Sequence, residues 1–399
     1  MGNICSNLRS HDEPTYIATS NYANSKNANS SDGTGSLCDI CNGLGFTSQH
    51  FIFHSNDGQN ENEKVDLGLV KDMRAKQAHC SLCRLLLNAL GPSLPDIENG
   101  EPVWVSVTWR KESIMSSDDT FPIQKTSTIP RILEPIAETR AFIGGGPLFP
   151  RDGLNMFPGI VLLADDIPND IPDIAPNRSG FARLIKDKID FDMVRGWLSI
   201  CKAQHLGSCD QPLMEEEIMD PAKEIASFRL IDVIDKCIVH PPPKCEYSAL
   251  SYVWGSIQTQ DVLRTLKANL NVLETPGAFL RPEIARRIPL TIRHAMDLLS
   301  NLQTRYLWVD SLCIIQDDDG PTGSKMENIS KMNIIYSAAY FTIEAATGTD
   351  ANAGLPGLDA GSRKTSQVVE VVAPGLRLAL RERSSDSYWK SVYYTRGWT

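Results

Sequence analysis

The sequence predicts an α/β fold, in which a parallel sheet with βαβ crossovers follows a smaller cysteine-rich N-terminal region. Apolar strand-like runs at 247–255, 306–315 and 340–346 alternate with amphipathic helical patterns, as is typical of parallel sheets. The run 306–315 is almost continuously apolar, as expected of a strand that helices cover on both faces. Ligands of such sheets lie outside the carboxyl ends of the strands, so the polar residues at these ends form the candidate site.

The composition limits the classes of protein to which the chain can belong. Its 399 residues are 42% hydrophobic and 22% charged, which is ordinary for globular proteins. The formal net charge of −10 argues against nucleic acid as the main partner, since phosphate binding needs a basic face. The sequence has no long apolar segment and no secretory signal. Its ten cysteines are therefore expected to be reduced thiols, metal ligands or core residues of a cytoplasmic protein.

The first six residues, MGNICS, match the N-myristoylation pattern with Gly2 as the acceptor. Cys5 lies close enough to receive a palmitoyl chain, and stable membrane attachment would need that second lipid. The alternative is a chance match in a disordered tail, because residues 1–36 are rich in Asn, Ser and Gly. Membrane contact is thus predicted only through a lipidated N-terminus.

Two Cys-x-x-Cys pairs stand out in residues 37–190, a region whose fold the sequence does not define. The pairs consist of Cys38, Cys41, Cys80 and Cys83. Two such pairs can supply four thiolates to one tetrahedral zinc ion, and His79 could replace one of them. The 38 residues between the pairs exceed the usual spacing of about 15–20, and the alternative is that the cysteines pack in a core.

Three other segments have recognisable patterns. Residues 102–110 alternate like a strand, and residues 190–205 form an amphipathic helix. Residues 367–382 form a hairpin that turns at a Pro-Gly pair. The segment 191–246 is interpreted as a connection into a C-terminal domain, 247–399.

Two weaker metal-ligand patterns are also present. Cys201, His205 and Cys209 follow ligand spacing along and beyond the predicted helix, although packing is the simpler interpretation. Asp317 to Asp319 follow the apolar run 306–315 and could bind a divalent cation, or could be solvated charges in a loop.

Several blocks of the C-terminal part resemble, in order and spacing, those of the fungal heterokaryon incompatibility (HET) domain. The blocks are YSALSYVWG, RYLWVDSLCIIQDD, MNIIYSAAYFTIEAATG and RGWT. The resemblance covers about 190–399 well and 38–90 loosely. It implies a fungal protein of non-self recognition that triggers programmed cell death, with partners among other incompatibility or signalling proteins or copies of itself. Family members continue beyond RGWT, so the resemblance implies that the domain is incomplete at Thr399.

HET domains have been related to TIR domains, so the resemblance also implies a TIR-like core and NAD as a substrate, cleaved at its glycosidic bond. A carboxylate would then stabilise the oxocarbenium-like centre, and aromatic side chains would hold the base and ribose. The catalytic candidates are Asp310, Glu327 and Cys313. The candidate ligand contacts are Tyr252, Trp254, Gly255, Gln316 and Arg396.

Each candidate also has a structural interpretation. Asp310 could cap a helix or pair with an arginine, the candidates being Arg293, Arg305 and Arg396. Cys313 would need a base such as His294 to act as a nucleophile, and otherwise packs in the core. Arg396 could stack on Trp398 to close the site, or brace the sheet. The competing function is a non-catalytic, zinc-binding scaffold that acts by oligomerisation.

Overall fold

The computed structural model shows two β-sheets, each with its own hydrophobic core. It describes residues 36–54, 64–111, 128–140, 159–169, 171, 180–204, 220–255, 262–320, 323–363, 367–381 and 391–395. The predictions for Gly2, Cys5, His205, Cys209, Arg396 and Trp398 lie outside these residues. The mixed α/β fold and the cysteine-rich N-terminal region are confirmed.

The strands are β1 (Ile52–His54), β2 (Val65–Leu69), β3 (Ile97–Glu98), β4 (Glu101–Lys111), β5 (Thr128–Thr139), β6 (Gly159–Leu162), β7 (Leu230–Asp232), β8 (Cys237–Val239), β9 (Tyr247–Ser251), β10 (Tyr306–Trp308), β11 (Thr342–Glu344), β12 (Val369–Ala373) and β13 (Leu376–Arg381). The helices are α1 (Asp39–Gly43), α2 (Val70–Lys76), α3 (Ser81–Leu90), α4 (Phe191–Gln204), α5 (Pro221–Glu224), α6 (Leu270–Leu273), α7 (Pro282–Ala285), α8 (Leu290–Leu302), α9 (Asp310–Cys313), α10 (Ser324–Ser330) and α11 (Met332–Ser337). None of the helices in these described ranges is long and apolar enough to cross a membrane.

The larger sheet has eight strands in the order β12-β13-β6-β5-β4-β2, with β1 added on β5 and β3 on β4. Every pairing among its described strands is antiparallel. Alternate residues of β4 (Val103, Val105 and Val107) are buried in the same core as Leu82 and Leu85 of α3. The predicted strand at 102–110 is thus confirmed, as a strand between β5 and β2 of this sheet.

The smaller sheet has five strands in the order β11-β9-β10-β7-β8. Strand β9 runs parallel to β10 and β11, whereas β7 runs antiparallel to β10 and β8. Helix α8 lies in the crossover between β9 and β10 and buries the predicted apolar face: Ile292, Ala295, Met296, Leu299 and Leu302. The strands β7 and β8 come from the segment 191–246, which the sequence indicated as a connection.

The apolar run 306–315 does not form one strand, contrary to the prediction. Strand β10 ends at Trp308, and Asp310 begins the single helical turn α9. Leu312, Cys313 and Ile314 are all buried. A segment that is buried on every side is apolar throughout. Its sequence therefore shows neither the period of a strand nor that of a helix, and the two cannot be distinguished.

The predicted hairpin, β12–β13, is confirmed, but it belongs to the larger sheet. Strand β13 pairs with β6, and its Leu376 and Leu378 are buried in the N-terminal core. Arg84 of α3 makes two bonds of 2.5 and 2.7 Å to the carboxylate of Glu370 in β12. The C-terminal part of the chain therefore completes the core that the N-terminal part begins.

Candidate functional site

The carboxyl ends of β9 and β10 bring together the aromatic and acidic residues that the sequence singled out. The indole N–H of Trp254 lies 3.0 and 3.2 Å from the two carboxylate oxygens of Asp310. The Tyr252 hydroxyl donates to Oγ of Ser311 over 2.9 Å. Burial, and then the charge of Asp310, raises the pKa of Tyr252 well above its ordinary value, so its proton stays in place.

The backbone around Asp310 holds its carboxylate in a fixed position. The amide N–H of Ser311 donates to Oδ1 of Asp310 over 2.6 Å. The Gln316 side-chain amide donates to the carbonyl oxygen of Asp310 over 2.8 Å, and thereby closes the turn after β10. Gln316 therefore contacts the backbone of the site and braces it.

Arg264 is a site residue that the sequence did not indicate. Its guanidinium lies over the ring of Trp254, 4.9 Å from the ring centre. Trp254 is the residue whose indole contacts Asp310. The proposed partner Arg305 instead binds Asp232 and Asp235, at 2.7 and 2.8 Å. No motif marks Arg264, because it lies between the blocks that end at Gly255 and begin at Arg305 and belongs to neither of them.

Gly255 is the position of this site where only glycine fits. Its φ is +72°, and a Cβ atom there would lie 2.3 Å from Cβ and 2.9 Å from Cα of Asp350. The loop after β11 thus packs directly against the end of β9. The amide N–H of Ala351 also donates to the carbonyl oxygen of Trp254 over 3.3 Å.

We expect Gly255→Ala to lower the free energy of unfolding by about 2–4 kcal/mol, from backbone strain and overpacking together. Gly277→Ala is the matched control, because Gly277 has a φ of +79° and no atom within 4 Å of an added Cβ. It should cost only the strain, about 1 kcal/mol. Urea denaturation of both variants measures the difference, and equal losses would contradict the close packing.

Two of the three predicted catalytic residues lie in surroundings that do not suit catalysis. Cys313 is fully buried, and burial raises the pKa of its thiol to about 12. Its sulfur accepts the amide N–H of Val309 over 3.3 Å. Because a nucleophilic cysteine needs an accessible thiolate, these contacts favour the alternative of core packing.

His294, the base considered for Cys313, is engaged elsewhere. Its Nδ1 accepts the amide N–H of Leu355 over 3.0 Å, and its Nε2 lies 3.1 Å from a carboxylate oxygen of Asp359. This histidine joins α8 to the loop after β11.

Glu327, the second candidate carboxylate, ties α10 to the turn before β7. Its oxygens accept the amide N–H groups of Ala226 and Ser227 at 2.9 and 3.3 Å, and the Ser227 hydroxyl at 2.6 Å. These hydrogen bonds outweigh the opposing effect of burial and lower the pKa of Glu327. A carboxylate with these partners suits a structural link better than proton transfer.

The aspartates after α9 are bonded to lysines and backbone groups. Asp318 lies 2.7 Å from Nζ of Lys267, and its pKa is lowered to about 2, chiefly by that lysine. Asp319 lies 2.6 Å from Nζ of Lys325, and Asp317 accepts the amide N–H of Lys267. Asp317 and Asp319 are exposed, so these contacts favour the alternative of solvated charges in a loop over a cation site.

The four cysteines of the two Cys-x-x-Cys pairs meet in the N-terminal core. All four sulfurs lie within 4.8 Å of one another, and three of the residues are buried. Sγ of Cys83 lies 3.8 Å from that of Cys38 and 3.6 Å from that of Cys41. Zn–S bonds of about 2.3 Å in a tetrahedron place sulfurs about 3.8 Å apart, so this cluster could hold a metal ion.

The cluster is formed by thiols alone. His79, which the sequence offered as a substitute ligand, is exposed and is not part of the group. A hydrogen bond from Cys41 is the main reason why the pKa of the Cys83 thiol lies below its ordinary value, which favours a thiolate there. Among the described residues, Cys201 on α4 joins no such group.

Comparison with known proteins agrees with the motif blocks. Residues 247–399 match the family model described as "Heterokaryon incompatibility protein (HET)". The chain is 28% identical over 157 residues to "Heterokaryon incompatibility protein 6, OR allele" of Neurospora crassa. That alignment covers 39% of this chain and 20% of the Neurospora protein, so the chain spans about a fifth of that relative. No solved structure matches the chain. Residues 247–399 of this chain are therefore similar to the heterokaryon incompatibility (HET) domain.

Proposed function

We propose that the chain acts in fungal heterokaryon incompatibility, as a protein whose HET domain triggers programmed cell death upon non-self recognition. The observation that carries this proposal is the match of residues 247–399 to the HET family, together with the similarity to a Neurospora crassa protein of that name. Other incompatibility or signalling proteins, or copies of the chain itself, are the proposed partners.

The contacts at the strand ends favour a recognition role over cleavage of NAD. Asp310 is held by Trp254 and Ser311, and the other predicted acid, Glu327, is bonded to the turn before β7. Glycosidic cleavage typically uses two carboxylates about 5–9 Å apart, on either side of the bond that breaks. Asp310 contacts the end of β9, whereas Glu327 contacts the turn before β7, and this difference does not favour such a pair. The order β10-β9-β11 is that of doubly wound sheets, which supports the proposed relation to TIR domains at the level of fold.

We also propose that the four-cysteine cluster binds one structural zinc ion. Cys38, Cys41, Cys80 and Cys83 would supply four thiolates, which zinc prefers in closed structural sites. Such an ion would cross-link α1 to α3. Membrane attachment through Gly2 and Cys5 is part of the proposal for the whole protein.

Inducible expression of the chain in Neurospora crassa tests the function, with uptake of a vital dye as the measure of cell death. We expect the wild-type chain to kill and Asp310→Asn to reduce killing by about tenfold, because Trp254 loses a charged acceptor. Glu283→Gln, at an exposed acid on α7, is the control and should kill as the wild type does. Survival of cells that accumulate folded wild-type chain would contradict the proposal.

A further inference from the structure

A cleft that does not include Asp310 lies where the segment before α4 meets residues 247–399. It has a volume of about 760 Å³ and lies between the segment 183–197 and the loop 347–363 that follows β11. Ligand sites typically have volumes of about 300–1,000 Å³. Its two sides are joined: the amide N–H of Ile189 donates to the Gly357 carbonyl over 2.9 Å, and that of Gly361 donates to Asp187 over 2.8 Å.

The wall formed by the segment 183–197 contains an open group of apolar side chains. Leu184, Ile185 and Trp197 are 44%, 46% and 50% exposed, and Met193 and Val194 of α4 line the same cleft. Because Met193 and Trp197 are four residues apart, one face of α4 presents both. Half-exposed large apolar side chains that share one concave surface are typical of a protein interaction site, and tryptophan is the residue most enriched among binding hot spots.

The charged side chains that line this cleft are mainly basic, whereas the chain as a whole is acidic. Its lining contains the basic residues Arg183, Lys186, Lys188 and Arg363 and one acid, Asp190. Lys186 lies 2.7 Å from Asp190, and the Arg363 guanidinium donates to the Lys186 carbonyl over 2.8 Å. We call these basic residues the basic rim, and the exposed side chains of Leu184, Ile185 and Trp197 the apolar shelf. The rim would attract a partner of opposite charge to the shelf.

We propose that this cleft binds an acidic peptide segment of a partner protein, anchored by large apolar side chains on the shelf around Trp197. Small-molecule pockets enclose about 70–90% of their ligand, whereas this shelf leaves its own apolar side chains half-exposed and so suits a longer segment. The acidic residues of the segment lie against the basic rim. The inference goes beyond the proposed function and does not depend on it.

Fluorescence anisotropy with the whole chain tests the inference. The probe is a fluorescein-labelled 14-residue peptide with phenylalanine and leucine four positions apart, separated and flanked by glutamate and alanine. Its counterpart carries lysine in place of glutamate. We expect the acidic peptide to bind at least about tenfold more tightly than the basic one, because rim charges of opposite sign select the partner.

Variants locate the site. Trp197→Ala and, separately, Leu184→Ser should each weaken binding by about tenfold, and Lys188→Glu should weaken it by about threefold and reduce its salt dependence. Leu280→Ser and Lys71→Glu, at exposed positions outside the cleft, are the matched controls and should leave binding unchanged. Thermal unfolding confirms that each variant is folded.

Three results would overturn the inference. The first is that neither peptide binds, or that both bind equally. The second is that binding by the acidic peptide is unchanged in both Trp197→Ala and Leu184→Ser. The third is a concentration-dependent dimer in sedimentation that these variants abolish, because the occupant would then be a second copy of this chain.

Discussion

Replacing Cys83 with serine should abolish binding of the proposed zinc ion and unfold the N-terminal core, because this sulfur lies closest to two others of the cluster. Structural zinc contributes apparent binding free energies of about 10–16 kcal/mol in small zinc domains. Whole domains have a net stability of about 5–15 kcal/mol, so loss of the ion is decisive for a core built around it. Three of the four cysteines and Leu82, Leu85 and Leu86 share that core.

Elemental analysis of the purified chain should give one zinc per chain, falling below half in Cys83→Ser. Hydrogen exchange should show lost protection in β2, α3 and β4, with protection of α8 and β9 retained, since the latter belong to the other core. Cys245→Ser is the control: its thiol lies outside the cluster, so zinc content and protection should stay as in the wild type. A zinc-free chain that keeps full protection in α3 would refute the assignment.

The elements that the sequence predicted best are those with a single clear period. Helix α8 has an apolar face with helical spacing, and the structure confirms it because one side packs on the sheet. Helix α4 follows the predicted bounds within one residue at each end. The helical pattern before β11 corresponds to two short helices, α10 and α11, that meet at Lys331.

The larger sheet could not be predicted because its strands are far apart in the sequence. Strand β6 pairs with β13 across more than 200 residues, and no local pattern encodes such a pairing. The site could be predicted in part. Trp254 and Asp310 both lie at strand ends and meet there, as the sequence indicated, whereas Arg264 belongs to no motif. The cysteine cluster was predictable because paired ligands at fixed spacing are a chemical pattern.

Replacing Asp166 with alanine should lower the free energy of unfolding by about 3–5 kcal/mol, because it leaves the charge of Arg377 without its partner. The Asp166 side chain is 6% exposed, and its oxygens accept from the Arg377 guanidinium at 2.5–3.0 Å and from its amide at 2.6 Å. These bonds hold β13 against the end of β6, the only described strand with which the hairpin β12–β13 pairs outside itself.

Urea denaturation measures the loss, and limited proteolysis should cut Asp166→Ala first near β12–β13. Asp165→Ala is the matched control, since the neighbouring carboxylate is exposed and such substitutions change stability by less than about 0.5 kcal/mol. The double variant Asp166→Ala/Arg377→Met should recover part of the loss, because it removes the unpaired charge as well. If Asp166→Ala lowered the free energy of unfolding no more than Asp165→Ala does, the hairpin β12–β13 would not depend on the ion pair between Asp166 and Arg377. The expected loss would instead mean that the hairpin β12–β13 relies for its stability on the N-terminal sheet.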